Sequence, residues 1–226
     1  AHMATNYFAH PNYLRIDGRP VLFVYLTRVL SRNGMLDEVA ALMRSAAKEA
    51  GHDLYIIGDQ VFGQPTNSSA LALLDAVTNY DVYGSMGAQG YAGQPAVDAY
   101  YAAQTKWQAL ANAAGTAFIP AATPGFNDKG VRGGHAAVSR RLTLSSEHGT
   151  LFRAMLQQAI NHTESATGDM LLITSWNEWH EDTQIEPVVE SAPTTSDVGD
   201  GAYSEGLDYE GYGERYLNIL REETTR

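Results

Sequence analysis

The sequence predicts an α/β fold of the (β/α)8 TIM-barrel type, in which about five βα units are visible. Short apolar runs alternate with amphipathic helical patterns, which indicates a parallel sheet covered on both faces. Polar and aromatic clusters follow the predicted strands repeatedly, and in a TIM barrel the loops after the strands build the active site. A full barrel has eight strands and roughly 250 residues, so the 226-residue chain is predicted to be a partial or truncated barrel.

The first elements are an extended piece with an Asp-Gly turn at residues 12–20 and an apolar strand at residues 21–25. A helix over residues 35–50 is expected to bury the face formed by Met35, Val39, Leu42, Ala46 and Ala50. The remaining elements, in chain order, are a strand at 54–57, a short helix near 69–78, a strand at 80–84, a helix at 96–114, a strand at 117–121, a helix at 150–161, a strand at 170–175 and a last helix near 212–223.

Composition excludes several classes of protein. A net charge of −11 and a pI near 5.0 argue against nucleic acid or an anionic membrane as a partner. No apolar run approaches the roughly 20 residues that a membrane helix needs. The chain has no Cys, which excludes disulfides, thiolate metal sites and a Cys nucleophile. It has no glycine-rich phosphate loop after a strand and no metal-ligand spacing, so no cofactor and no catalytic metal are predicted.

The most informative segment is residues 174–187, directly after the last predicted strand. It holds two Trp, one His, one Asn and three Glu. Aromatic rings stack on the apolar face of a sugar, and apolar surroundings can keep one carboxyl protonated while its neighbour stays ionised. The alternative is a solvated loop in an acidic chain, but such loops rarely carry two Trp three residues apart. The segment therefore predicts chemistry on a sugar.

Three segments resemble glycoside hydrolase family 99 and its WbsX-like relatives from polysaccharide gene clusters. Residues 10–21 (HPNYLRIDGRPV) resemble the segment that leads into the fourth barrel strand of that family, and residues 122–128 (ATPGFND) resemble its loop after the seventh strand. Residues 175–187 (SWNEWHEDTQIEP) are similar to its most diagnostic segment, after strand eight. The resemblance implies that residues 4–226 form a single barrel domain with strands four to eight, whereas residues 1–3 read as a cloning scar.

The chain departs from the family's pattern at two positions and in extent. The family usually has Gly where this chain has Asp182, beside the catalytic pair, and often has an acidic residue where this chain reads Tyr25-Leu26-Thr27. The first part of the family's barrel has no counterpart in this sequence. The sheet edges are therefore expected to be covered by a missing N-terminal half-barrel or by a second copy in a homo-oligomer, or the chain is a reduced barrel that covers its own edges.

The resemblance implies endo-acting hydrolysis of an α-mannosidic or related bond, with retention. In that family the carboxylate matching Glu178 assists the sugar's own 2-hydroxyl in attacking the anomeric carbon. The carboxylate matching Glu181 protonates the leaving oxygen and then activates water. Glycosidases usually need two such carboxyl groups. In a flat strand these two would point to opposite faces, so the chain is predicted to bend after Glu178.

Eight further residues are candidates for binding the substrate: Asn177, Trp176, Trp179, His180, Glu186, Tyr83, Asp128 and Asp59. Each also has a plainer interpretation. One Trp is expected to be a sugar platform and the other to fill the core. A strand-end Asn could satisfy backbone groups, a lone His is often structural, and the Glu before Pro187 could cap the loop. The Tyr could be core packing, and the two Asp lie at strand exits, while His135 and His148 are predicted to be solvated.

Three classes of function remain open from the sequence. The first is an active hydrolase of an oligosaccharide or polysaccharide such as mannan. The second is a non-hydrolytic relative that acts in polysaccharide assembly, where WbsX-like proteins are classed as glycosyltransferases, or that binds glycan. The third is an inactive partial barrel. The presence of both carboxylates favours the first class, for which a periplasmic or extracellular location is favoured.

Overall fold

The structure, a computed structural model, describes residues 2–65, 69–194 and 209–225. The chain divides into two compact units. The first comprises Ala1–Tyr80, Ala103–Pro120 and His162–Met170, and the second comprises Asp81–Ala102, Ala121–Asn161 and Leu171–Arg226. No helix of the described residues is long and apolar enough to span a bilayer.

The first unit is built on a five-stranded sheet in the order β1-β2-β3-β4-β5. The strands are β1 (Arg15–Ile16), β2 (Arg19–Val24), β3 (Tyr55–Asp59), β4 (Ala76–Thr78) and β5 (Ala117–Phe118). The hairpin between β1 and β2 turns at Asp17 and Gly18, whose φ angles of 51° and 76° suit a two-residue hairpin turn. From β2 onward all neighbours pair in parallel, as the continuous apolar strands predict.

Helices α1 (Thr27–Arg32) and α2 (Leu36–Glu49) follow β2. Helix α2 is confirmed, but the predicted buried face is wrong. Leu42 is exposed, whereas Leu36, Ala40 and Ala47 are buried. Both sets of residues recur at helical spacing, and the set that begins with Leu36 packs inward. The core of this unit gathers Phe8 of the π-helix Ala4–Phe8, Ile56, Leu71 of the 3₁₀-helix Leu71–Leu73, Trp107 and Phe118.

The third predicted strand is misplaced. The strand lies at Ala76–Thr78, where a helix was expected, and residues 80–84 run into α3 (Val82–Met86) instead. The physical reason is a helix cap, because the carboxylate of Asp81 accepts a hydrogen bond from the backbone N–H of Gly84 at 2.8 Å. Tyr83 therefore lies on a helix and not at a strand exit.

The fourth predicted strand is divided at Pro120, which has no N–H to donate to a ladder. Residues before it form β5, which pairs with β4, and residues after it form β6 (Ala121–Ala122), which pairs in parallel with β7 (Leu172–Ile173). The pair β6–β7 lies in the second unit and ends directly before the segment of interest at residue 174.

The second unit also contains α5 (Thr150–Ala159), α6 (Arg215–Thr224) and the antiparallel pair β8 (Ser191–Thr194) and β9 (Tyr209–Gly211). The long helix α4 (Gly93–Ala113) contributes Val97, Tyr100 and Tyr101 to this unit's core. A short 3₁₀-helix lies in this unit at Trp179–Glu181, another lies in the first unit at Ser165–Thr167, and a third, Ile160–His162, lies where the chain passes from one unit to the other. The predicted helices at 96–114, 150–161 and 212–223 are confirmed within a few residues.

Candidate active site

The segment after β7 is a closed loop. The backbone N–H of Ser175 donates to the carbonyl of Thr183 at 2.8 Å, and the two hydroxyls lie 2.7 Å apart. Both residues are buried. These two hydrogen bonds therefore hold together the two ends of the loop formed by the residues between them.

The predicted bend after Glu178 is confirmed. The backbone N–H of Glu178 donates to the hydroxyl of Ser175 at 2.9 Å, and a 3₁₀-helix follows at Trp179–Glu181. Asp182 ends it in the left-handed region, with φ 48°. Glu178 directly precedes this 3₁₀-helix and Glu181 is its last residue, so the two carboxylates lie at the two ends of one short turn.

The two carboxylates have different surroundings. The side chain of Glu178 is 40% exposed, and its Oε1 lies 3.6 Å from Nδ1 of His180, which is itself exposed. The side chain of Glu181 is 21% exposed, and its Oε1 accepts a hydrogen bond from Nη1 of Arg132 at 3.1 Å. One carboxylate therefore faces an imidazole and solvent, and the other faces a guanidinium.

Arg132 also binds Asp128. Its Nη1 lies 2.8 Å from Oδ2 of Asp128, and Nδ1 of His135 lies 2.8 Å from the same oxygen. The side chain of Asp128 is fully buried. Hydrogen bonds from Arg132 to the carboxylates of Asp128 and Glu181 raise the pKa of Arg132 above its ordinary value. His135 is exposed, as predicted, and it also contacts this buried carboxylate.

A buried cation, Arg140, also contacts the turn. Nη2 of Arg140 lies 3.0 Å from Oδ1 of Asp182 and donates to the carbonyls of Asp182 and Gln184. Burial by itself would lower the pKa of Arg140, but the charge of Asp182 and the contact with Tyr216 raise it above the ordinary value. Burial raises the pKa of Tyr212, whose ring lies 5.2 Å from the guanidinium, to about 12.

A cavity of about 200 Å³ adjoins this ion pair. Its polar and aromatic lining includes Arg140, Trp179, Asp182, Gln184, Glu210 and Tyr212. His148 also lines it and is buried, so the prediction that this residue is solvated is wrong. The cavity offers hydrogen-bond donors and acceptors beside an aromatic ring.

Both tryptophans of the segment are exposed, Trp176 at 52% and Trp179 at 49%, so the expectation that one fills the core is wrong. Nε1 of Trp179 donates to Oε2 of Glu186 at 3.1 Å, which fixes the position of the indole ring. Tyr83 stacks on Phe126, with ring centroids 3.8 Å apart, and its hydroxyl donates to the carbonyl of Ala136 at 2.6 Å.

The remaining candidates lie in different environments. Asn177 is exposed on the loop. Asp59 is buried in the first unit, where it forms an ion pair with Arg28 and accepts from the backbone N–H groups of Leu26 and Tyr80 at 3.1 and 2.9 Å. These contacts indicate that Asp59 stabilises the fold of that unit. Its role in binding a substrate stays a prediction, as do those of the other candidates.

The sequence missed Arg132 and Arg140. For Arg132 a signal existed, because an Asp and an Arg four residues apart interact when the chain turns between them. For Arg140 there was none, since its partner Asp182 lies 42 residues further along the chain. Among the described residues no group of three or more His, Asp or Glu is placed to hold a metal ion.

A family model described as Glycosyl hydrolase family 99 matches residues 1–223. The chain belongs to this family. The solved structure of a glycoside hydrolase-like protein covers 98% of the chain with a TM-score of 0.63 and 24% identity, and the chain covers 58% of that protein. An endo-alpha-mannosidase of family 99 from Bacteroides thetaiotaomicron, solved with Bis-Tris propane, covers 99% with a TM-score of 0.63 and 21% identity, and the chain covers 63% of it.

These likenesses confirm the predicted TIM-barrel-type fold. A glycoprotein endo-alpha-1,2-mannosidase-like protein from Danio rerio is 39% identical over 72 residues, which are 32% of the chain and 14% of that protein. The present chain spans about three fifths of the length of the two solved structures named above.

Proposed function

We propose that this family 99 chain carries the catalytic carboxylates of an endo-acting, retaining glycoside hydrolase that cleaves α-mannosidic or related α-linked glycans. The observation that carries the proposal is the turn after β7. Glu178 and Glu181 lie three residues apart on it, in different surroundings, within a chain that belongs to this family. Residues 4–226 would supply strands four to eight of the barrel.

Glu178 is assigned to the attack on the anomeric carbon. The resemblance implies that this carboxylate accepts the proton of the sugar's 2-hydroxyl while that oxygen bonds to the anomeric carbon. Its exposure and the neighbouring His180 support this role, because a base must reach the substrate in its ionised form.

Glu181 is assigned to the leaving group. It gives a proton to the glycosidic oxygen as the bond to the anomeric carbon breaks, and it then takes a proton from the water that completes hydrolysis. Most glycosidases use such a pair of carboxyl groups.

The aromatic and polar residues around the turn supply the binding surface. The exposed rings of Trp176 and Trp179 suit stacking against sugar faces. Glu186 fixes one of these rings, and Asn177 and His180 are exposed beside it. The cavity lined by Arg140, Asp182 and Glu210 suits the hydroxyl groups of one sugar residue.

The test is turnover of a panel of α-linked manno-oligosaccharides and α-mannan by the chain, beside Glu178→Gln and Glu181→Gln. The expected result is cleavage by the wild type and a loss of at least about 100-fold in each variant, since a general acid or base contributes about 10²- to 10⁴-fold. Thermal unfolding of the variants should match that of the wild type. Equal turnover by all three proteins would refute the assignment, and no cleavage by the wild type would favour a glycan-binding or inactive barrel.

A further inference from the structure

We propose that Arg132 is a positioning residue that selects the oxygen from which Glu181 delivers its proton. This inference rests on the proposed function, in which Glu181 is the general acid. Nη1 of Arg132 donates to Oε1 of Glu181 at 3.1 Å and lies 2.8 Å from Oδ2 of Asp128. A single guanidinium nitrogen thus joins a fully buried carboxylate to a candidate catalytic one.

The buried end of this chain of contacts is fixed. The side chain of Asp128 has no exposed surface, and its Oδ2 contacts Nδ1 of His135 as well as Arg132. The backbone adds two bonds, because the N–H groups of Val131 and Arg132 donate to the carbonyl of Asp128 at 2.9 and 2.8 Å. The position of the guanidinium is therefore set from the interior.

The same loop is tied to the backbone of the catalytic turn. The N–H of Asn127 donates to the carbonyl of Glu181 at 2.8 Å. Glu181 is held through both its main chain and its side chain by residues of one loop. Such a double attachment restricts the carboxyl group to one orientation.

The chemistry follows from which oxygen is engaged. In the acid form the carbonyl oxygen is a better acceptor than the hydroxyl oxygen, so the guanidinium bond to Oε1 favours the proton on Oε2. Among the described residues no hydrogen bond engages Oε2 of Glu181, which leaves it for the glycosidic oxygen. On transfer the bond between Oε2 and hydrogen breaks, a bond between hydrogen and the glycosidic oxygen forms, and the electrons of the glycosidic bond go to that oxygen. The carboxylate that remains is stabilised by Arg132.

The test compares two leaving groups on the same α-mannosyl glycone. One substrate carries a sugar, which departs slowly without a proton, and the other carries fluoride, which departs as the anion. Both are measured as kcat and KM with the wild type, Arg132→Gln, Arg132→Lys and Glu181→Gln. Lys129→Gln removes a positive charge from the same loop and controls for a general charge effect.

Arg132→Gln is expected to lose about 10- to 100-fold in kcat/KM for the sugar leaving group, through kcat and not KM. Its kcat/KM for the fluoride should change by less than about threefold, and Arg132→Lys should recover part of the loss. Equal losses with both substrates, or no loss with either, would overturn the positioning role alone. A Glu181→Gln variant whose kcat/KM falls equally with both would instead overturn Glu181 as the acid, because kcat/KM covers the step that breaks the glycosidic bond and not the later attack of water. A wild type inactive on both would overturn the proposed function and this inference together.

Discussion

Buried Arg140 forms an ion pair with partly buried Asp182, with Nη2 of Arg140 3.0 Å from Oδ1 of Asp182, at the residue that ends the turn bearing both candidate catalytic carboxylates. Asp182 lies in the left-handed region, with φ 48°, where an Asp is tolerated less readily than Gly. The ion pair offsets that cost, and it also compensates the charge of a guanidinium that lies among the rings of Tyr212 and Tyr216. The segment's backbone and the buried cation are therefore stabilised together.

Substitutions of Asp182 distinguish the cost of its left-handed backbone from the contribution of its ion pair with Arg140. Asp182→Gly relieves the backbone cost, about 1 kcal/mol, but leaves Arg140 without its counter-ion. Asp182→Asn keeps an acceptor and tolerates the left-handed conformation, whereas Asp182→Ala loses both. We expect the free energy of unfolding to fall least for Asn, by about 1–3 kcal/mol for Gly, and most for Ala. Urea unfolding of the purified variants measures this order, and a Gly variant more stable than the wild type would contradict it.

Trp179 is expected to contribute to glycan affinity through its ring. Trp179→Ala should weaken binding of an α-linked manno-oligosaccharide by about 2- to 10-fold, the equivalent of an aromatic contact, and Trp179→Phe by less because a ring remains. Titration calorimetry in a Glu181→Gln background, where turnover does not interfere, measures the affinities.

Trp107 provides the matched control for this experiment. It is buried in the first unit, where its Nε1 donates to the carbonyl of Gly63 at 2.9 Å. Trp107→Phe is expected to lower thermal stability without changing glycan affinity. An unchanged affinity in Trp179→Ala would show that the exposed indole does not contact the ligand.

The parts of the fold that were predicted are those with local signals. Helices α4 and α5 carry helical periodicity over many residues, and β2 and β3 are continuous apolar runs. The third strand was misplaced because β4 has only three residues, and its neighbour Asp81 begins a helix. The buried face of α2 was misassigned because two apolar stripes compete on one helix, and only packing decides between them.

In the candidate site, too, the residues with local signals could be predicted and those that depend on long-range contacts could not. Residues 174–187 are contiguous, so their composition and the need for a bend could be read directly. Arg132 lies 49 residues before Glu181, and the contact between them depends on how a loop folds back. Long-range ion pairs of this kind have no spacing rule, whereas the capping and turn residues of residues 174–187 do.

The outer edge of β2 is expected to be covered by another copy of the chain. Residues 22–24 pair with β3, and among the described strands none pairs with their other side. Phe23 is 47% exposed there, and Tyr25 follows it on the surface. An unpaired apolar edge favours association. We expect light scattering at high concentration to give a mass above 24.5 kDa, and Phe23→Lys to lower it. A single-copy mass at all concentrations would count against this.

His162 is expected to make stability depend on pH. Burial lowers the pKa of His162 below the ordinary value of 6.5, and its Nδ1 lies 3.0 Å from Oε1 of Gln108 in the first unit. The folded state therefore favours the neutral ring, so this contribution is complete above pH 6.5 and is lost as pH falls from there through the folded pKa. His162→Gln, which does not titrate, should show a smaller loss of unfolding free energy between pH 7 and 5, roughly the range in which His changes charge. Parallel urea unfolding curves measure the difference, and equal slopes against pH in the two proteins would exclude His162 as the source.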